Sequence, residues 1–332
     1  MRPFLGVSLA LILVVYGYGY AGALLGMALG AALTGIWALW RVGRRTGLAA
    51  PERWMLNRFF SFGTPLALVS SGSMLFMMLS QSLLARYVGL DAVGIFAAAQ
   101  ALALRAVGMP MDTMRGVSAV SIFQSFEKDG HAGSDKELAQ HFSLLMLVSV
   151  PVVATLVLAN DTVARLIFDE VFRGDVARHL PILAVATFIA GIQGAFYGFA
   201  FTLSHKTKLQ LFIMLGLIAG HCLLSLGLVW GLGAIGASWA VLATSVAGLL
   251  AYALIGKRIR PIALPLVEFR MMGLATLAFA PFAVLADYNA SLVMAAGLLV
   301  IGGLAFVAVL HLAGHTGLRL VLNGLRKKSR SS

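Results

Sequence analysis

The stretch "QALALRAVGMPMDTMRG" (Gln100–Gly116) decides the fold. From Ala92 to Met111 the only strongly polar side chains are Gln100 and Arg105. A helix of a soluble domain keeps one polar face, and this run has none. Its length matches the roughly 20 apolar residues that carry a helix across a bilayer. Arg105 therefore stands inside a membrane span, with Pro110 five residues on and Asp112 and Arg115 beyond it.

The rest of the chain agrees. Hydrophobic residues make up 60% of its 332 positions and charged ones 11%, and mean hydropathy is +0.92. Soluble domains average about 45–50% apolar and about 25% charged. A soluble fold of this size has too little interior for so much apolar side chain, so the bilayer is the solvent. Ten spans are expected, near 4–20, 22–40, 60–84, 92–122, 142–158, 180–203, 209–230, 234–255, 271–286 and 292–312. The first, ahead of "AGA" (Ala21–Ala23), has something of a signal peptide, but it runs on into a second membrane-length segment.

Net charge is +12. Its distribution speaks for topology and against a nucleic-acid partner. Arg2, Arg41–Arg58, Arg115–Lys136, Lys206 and Lys208, Lys257–Arg270 and Arg319–Arg330 fall in alternate loops or termini. Only Arg86, Arg165, Arg173 and Arg178 fall in the opposite set. Basic loops stay cytoplasmic, so both termini are expected inside. Tyr16, Tyr18, Tyr20, Tyr87, Trp230 and Tyr288 then form an outer aromatic belt, and Trp37, Trp40 and Trp54 an inner one. "TVARLIFDEVFRGDVARH" (Thr162–His179) is expected as an outer amphipathic helix. "EKDGHAGSDKE" (Glu127–Glu137) reads as a polar inner loop. The tail "GLRLVLNGLRKKSRSS" (Gly317–Ser332) is suited to the inner leaflet, its basic residues facing anionic membrane lipids.

An arginine at the centre of a span costs about 2.5–3.5 kcal/mol on insertion scales. Arg105 lies roughly 20 Å into its span, too deep to snorkel to either surface. It needs a buried partner, a water-filled cavity or an anionic substrate. Pro110 removes a backbone donor from the carbonyl of Ala106, so a kink is expected beside Gly108. Asp112 and Arg115, spaced i, i+3, read as an inner-rim ion pair. Ser80, Gln81 and Ser82, Gln100, Gln193 with Tyr197 one turn on, and His221 with Ser225 are further polar groups within spans. Such residues more often bond helix to helix than bind ligand. Gly194 and Gly198 make a GxxxG, a weak sign of close helix packing.

No metal or cofactor site is apparent. His311 and His315 have metal-ligand spacing but no third ligand, and read as interfacial. Cys222 is alone in an apolar run. No paired carboxylates, Ser/His/acid set or phosphate loop points to an enzyme.

Five stretches carry a likeness. "RFFSFGTPLALVSSG" (Arg58–Gly72), "LLARYVGLDAVGIFAAAQAL" (Leu83–Leu102), "RLIFDEVFRGDVARHLPILAV" (Arg165–Val185), "GLGAIGASWAVLATSVAGLL" (Gly231–Leu250) and "GYAGALLGMALG" (Gly19–Gly30) occur in order and spacing. Together they resemble the bacterial polysaccharide flippases of the multidrug/oligosaccharidyl-lipid/polysaccharide exporter superfamily. The resemblance implies an all-α polytopic membrane protein with two six-helix lobes around a cavity and, often, two further helices. Residues 1–45 would be the last two helices of an N-terminal lobe whose first four are missing here. Residues 46–59 would be a cytoplasmic linker, 60–258 the C-terminal six-helix lobe, 259–315 the extra pair and 316–332 a basic tail.

The function so implied is translocation of an undecaprenyl-diphosphate-linked oligosaccharide across the bacterial inner membrane. In one related lipid-linked flippase an arginine five residues before a Leu-Pro in the matching helix faces the cavity, and Arg105 stands five residues before Pro110. Arg105 would bind the diphosphate, with Gln100, Gln193, Tyr197 and His221 as further cavity groups. The chain departs from the family at Ser80–Gln81, where many members carry an aspartate. Implied partners are the lipid-linked glycan, other polysaccharide-assembly membrane proteins, or a missing N-terminal half. Three rivals remain open: a drug/cation antiporter of the same superfamily, a membrane glycosyltransferase or ligase, and a non-transporting scaffold.

Overall fold

In lipid every backbone N–H has to find a carbonyl within its own segment, which leaves this chain the helix. The computed structural model describes residues 2–46, 52–261, 265–288 and 291–321, and no strand occurs among them. The helices are α1 (Arg2–Leu13), α2 (Gly19–Thr46), α3 (Arg53–Tyr87), α4 (Leu90–Ala103), α5 (Met109–Leu158), α6 (Asn160–Ile167), α7 (Glu170–Ile192), α8 (Gly198–Leu203), α9 (Thr207–Leu232), α10 (Ala234–Ile259), α11 (Leu266–Asp287) and α12 (Leu292–Ala313). Wide π-helical turns at Leu104–Gly108 and Gln193–Tyr197 join α4 to α5 and α7 to α8, and Val14–Tyr18, broken at the non-helical Gly17, joins α1 to α2.

Among the described residues eight continuous stretches are long and apolar enough to cross a membrane, where ten spans are expected from the sequence. The difference is two reversals made without a loop. Gly17, at φ 91°, lies between α1 and α2. Gly130, at φ 64° and ψ −140°, divides α5. A residue with a Cβ is strained at such angles, and glycine is not. The segment Glu127–Glu137, expected as a polar loop, is therefore two helix ends meeting at one residue. His141 and Ser118 bond across that turn at 2.9 Å, which sets the two legs of α5 antiparallel. Counted as legs, these eight stretches make ten.

The chain forms two compact units, Met1–Phe60 and Ser61–Ser332. In the first, α1 and α2 fold back on each other. A Cβ on Gly26 would stand 2.2 Å from the Ala10 nitrogen, and one on Gly30 2.4 Å from the Gly6 Cα. The two backbones touch, as small residues permit in membranes. Nearly all other side chains of this hairpin are exposed, Tyr20 at 88%. Helix α3 begins at Arg53, inside the stretch expected as a linker.

In the second unit the larger core brings Phe142, Phe196, Phe201, Tyr252, Phe279 and Phe306 together. A smaller one joins Leu84, Phe96, Leu183 and Val229. Helices α11 and α12 pack on each other, with Gly302 against Phe279 and Phe282. Helix α6 holds this pair: the Thr162 amide donates to Asp287 (2.8 Å), its hydroxyl to the Ala286 carbonyl (2.9 Å), and Arg165 to the Asp287 carbonyl (3.2 Å). The last carbonyls of α11 are thereby capped. Thr162–His179 is not the single amphipathic helix expected. Helix α6 stops at Ile167, Phe168 is extended (φ −117°, ψ 148°), and α7 restarts at Glu170.

At the end of this unit that carries Lys128, Lys206 and Lys257, here termed the basic end, two buried clusters tie the turns together. Arg260, only 3% exposed, donates to Ser134 (2.6 Å) and Asp135 beside the Gly130 turn and lies over the Phe126 ring. His315, expected at an interface, is fully buried. Its Nε2 pairs with Glu268, and its Nδ1 accepts from the Leu318 amide at 3.3 Å. Ser143 lies 3.4 Å from the same Nε2 and accepts from the Gly317 amide at 2.8 Å. Serine, histidine and acid meet here, but both partners share one ring nitrogen and the site is sealed, so no activated nucleophile results. The remainder of the basic tail, 322–332, lies outside the described residues.

Candidate functional site

The site is built where α4 passes into α5. A proline at 110 cannot donate to the carbonyl four residues back, and its ring crowds the turn before it. The chain answers by widening rather than bending: the Met109 amide bonds the Leu104 carbonyl, five residues back. All residues of that turn keep helical angles at its ends. Such π turns concentrate at functional positions in helices.

This geometry fixes the face that Arg105 uses. Arg105 is exposed, as are Met109, Val117 and Val120 further along the same leg. Asp112 shares that stripe and pairs with Arg115 at 3.6 Å, with 71% and 43% of their side chains exposed. A pair so open is worth about 0–1 kcal/mol and leaves both charges available. Arg105 itself has no ion pair or hydrogen bond with any described residue. Gln100, one turn and a half earlier, is 7% exposed, and its Oε1 is unpaired. Gly108, on the other side of the leg, packs against Thr187 of α7.

The second π turn, Gln193–Tyr197, lies beside the α5 leg. Met111 packs on Gly191 and the Arg115 guanidinium lies over Gly194, so α5 and α7 run parallel here. The widened turn presents the Ala195 carbonyl sideways, and the buried His141 Nε2 donates to it at 2.8 Å. Its Nδ1 then accepts from Ser118, which fixes the tautomer. Gln193 is wedged against Gly248 so tightly that a Cβ there would stand 2.4 Å from its Oε1. The buried Tyr252 hydroxyl lies near the Gln193 and Gln210 amides. Gly194 and Gly198, read as a helix-packing motif, instead make room for Arg115 and Gln210. Tyr197 is 7% exposed, its ring edge-on to Phe196 at 5.3 Å.

His221 does not join this group. It is 1% exposed and sits between α3, α9 and α10. Thr244 gives its proton to the Ala240 carbonyl (2.8 Å), so its oxygen accepts from His221 Nδ1 (2.9 Å). Nε2 therefore accepts from Ser80 (2.9 Å) and Ser225 (3.2 Å), with Phe76 edge-on to the ring at 5.0 Å. Every ring atom that can bond does so inside protein, which makes His221 a fastener between helices. The stripe and the second π turn thus bring Arg105, Asp112, Arg115 and Gln193 onto or beside one leg. Sequence reading missed His141, Ser118, Gln210 and Tyr252. Their only signal was polarity inside apolar runs, and nothing in the sequence said which would meet. Among the described residues no three His, Cys, Asp or Glu side chains converge on a metal position.

Comparison with known proteins fits this architecture. The family described as "Polysaccharide biosynthesis protein" matches residues 4–109, which take in Arg105 and its π turn. Curated protein sequences return no match. Among solved structures, the lipid II flippase MurJ in an inward closed conformation shares the fold at a TM-score of 0.69 and 14% identity. The alignment covers 93% of this chain and 65% of that one, so the chain spans about 65% of that flippase's length. At such identity the likeness speaks for the fold. The matched segment is thus similar to the polysaccharide biosynthesis family, and the chain shares its fold with a lipid II flippase.

Proposed function

We propose that the chain moves an undecaprenyl-diphosphate-linked oligosaccharide across the bacterial inner membrane, with Arg105 as the contact for the diphosphate. One observation carries the reading: a guanidinium at mid-span, exposed and without a partner among the described residues. Facing acyl chains it would cost several kcal/mol, so its surroundings hold water or an anion. A diphosphate satisfies that cation with paired, charge-assisted hydrogen bonds. The family likeness of residues 4–109 and the structural relative, a lipid II flippase, favour a lipid-linked glycan over a drug cation. The one acid on the stripe, Asp112, faces Arg115, which leaves a cation poorly served.

The six legs of 60–258, the helix pair of 259–315 and both termini at the cytoplasmic side belong to the same proposal. The test is flipping of a fluorescent undecaprenyl-diphosphate oligosaccharide in cells that depend on this chain. Arg105→Ala is expected to bring flipping to background at unchanged membrane abundance, and Arg105→Lys to retain part of it. Full activity in Arg105→Ala, or loss of the protein itself, contradicts the assignment.

A further inference from the structure

The turn between α8 and α9 places its charges against a local rule. The first amides of a helix have no partner within it, and the macrodipole is positive there. Acids and small polar caps are the usual occupants. Helix α9, 26 residues long, opens instead on Lys206 with Lys208 in its first turn, has no acid there and receives no side-chain cap. A lysine has no acceptor with which to cap. Two exposed like charges at a positive helix end repel weakly, and an anion between them turns that repulsion into attraction.

A groove of about 500 Å³ opens at this turn, lined by Ser61, Phe62, His205, Lys206, Thr207 and Lys208, with no carboxylate in its wall. His205 holds φ 54°, the left-handed position that glycine usually fills at a helix end, and its ring is edge-on to Phe62 at 5.5 Å. Thr207 is an independent sign of a ligand. It is 1% exposed, lines the groove, and its hydroxyl has no hydrogen-bond partner among the described residues. A buried hydroxyl left unpaired carries a desolvation cost that a ligand acceptor removes. Phe212, 68% exposed, and Leu209 continue the wall along α9 in the direction of the bilayer.

We propose that this groove binds the phosphate of an anionic phospholipid from the leaflet at the basic end. Lys206 and Lys208 pair its charge. The Thr207 hydroxyl and the open amides of the first α9 turn donate to its oxygens. Leu209 and Phe212 meet its acyl chains. The proposal stands apart from the transport reading and does not depend on it.

The test uses the full chain in nanodiscs of phosphatidylcholine with stepwise phosphatidylglycerol, followed by release into detergent and native mass spectrometry of the lipid retained. One phosphatidylglycerol is expected to stay bound, about tenfold more tightly than phosphatidylcholine, as a charge-assisted contact implies. Thr207→Val and the pair Lys206→Gln/Lys208→Gln should each release it without lowering the melting temperature, and Thr207→Ser should keep it. The charge-matched pair Lys257→Gln/Arg258→Gln should leave it in place. Equal loss in that control pair means a diffuse surface charge and overturns the site, as does retention in Thr207→Val. Displacement by millimolar inorganic phosphate at equal affinity overturns the lipid source in favour of a soluble phosphate.

Discussion

Arg105 and Arg260 are the same side chain put to opposite uses within one unit. Arg260, in a stretch that the sequence counts among solvated basic loops, is 3% exposed and held by Ser134, Asp135, the His131 carbonyl and the Phe126 ring. Arg105, in the middle of an apolar span, is exposed and has no hydrogen-bond or ion-pair partner among the described residues. The basic end of the bundle uses its arginine to pin α10 to the Gly130 turn. The π turn of the α4–α5 leg keeps its arginine unspent. Local apolarity around a charge therefore says little about its burial. The partners that the fold delivers decide it.

Exchanging the readouts of these two arginines is the sharpest way to break the comparison. Arg105→Ala should reduce glycan flipping by more than about 100-fold, the scale of several lost charge-assisted bonds, and leave the melting temperature in detergent unchanged. Arg260→Ala should do the reverse, removing about 2–3 kcal/mol of stability, since Ser134 and the Gly130 turn lose a buried partner. Asp135 is half-exposed and water takes over its charge, which keeps the loss below that of a sealed pair. If both variants fail in the same assay, the division between the two regions is wrong.

Smaller effects refine the picture. Ser80→Ala leaves His221 Nε2 with Ser225 alone, at a cost of about 1 kcal/mol measured as a fall in melting temperature, with flipping retained. A transport defect in Ser80→Ala at normal stability would return His221 to the site. The smallest effect concerns acid. Burial holds His315 below the ordinary histidine value of 6.5, and the neighbouring Glu268 only partly opposes it. Above about pH 6.5 the ring is neutral in both folded and unfolded chains. As pH falls below that value the unfolded chain takes up a proton that the folded one resists, so stability declines. Protonation also sets an Nδ1 proton against the Leu318 amide. Melting curves from pH 7.5 to 5.5 should show a shallow decline that His315→Gln flattens.

Much of the architecture was open to reading from the sequence, because span length and charge alternation are imposed by the bilayer and need no partner. Arg105, Asp112 and Arg115 could be placed on one leg by helical spacing alone. The two reversals were hidden for a physical reason. Gly130 sits among Glu127, Lys128, Asp129 and His131, a composition that loops and helix ends share, and only its positive φ marks the turn. The kink expected at Pro110 takes the form of a π turn, since the same lost donor can be met by bending or by widening. His221 looked like a cavity group because its partners Ser80 and Thr244 lie 141 and 23 residues away. Gln193 and Tyr252 are likewise joined only by the packing of α7 on α10.

The hairpin of α1 and α2 has a consequence for how this chain can change. Every single-base change out of a glycine codon either is silent, ends the chain or adds a Cβ. At Gly26 and Gly30 that atom has nowhere to go. The exposed tyrosines and leucines of the hairpin meet no such bar within it, whereas its inner seam admits only glycine at these two positions.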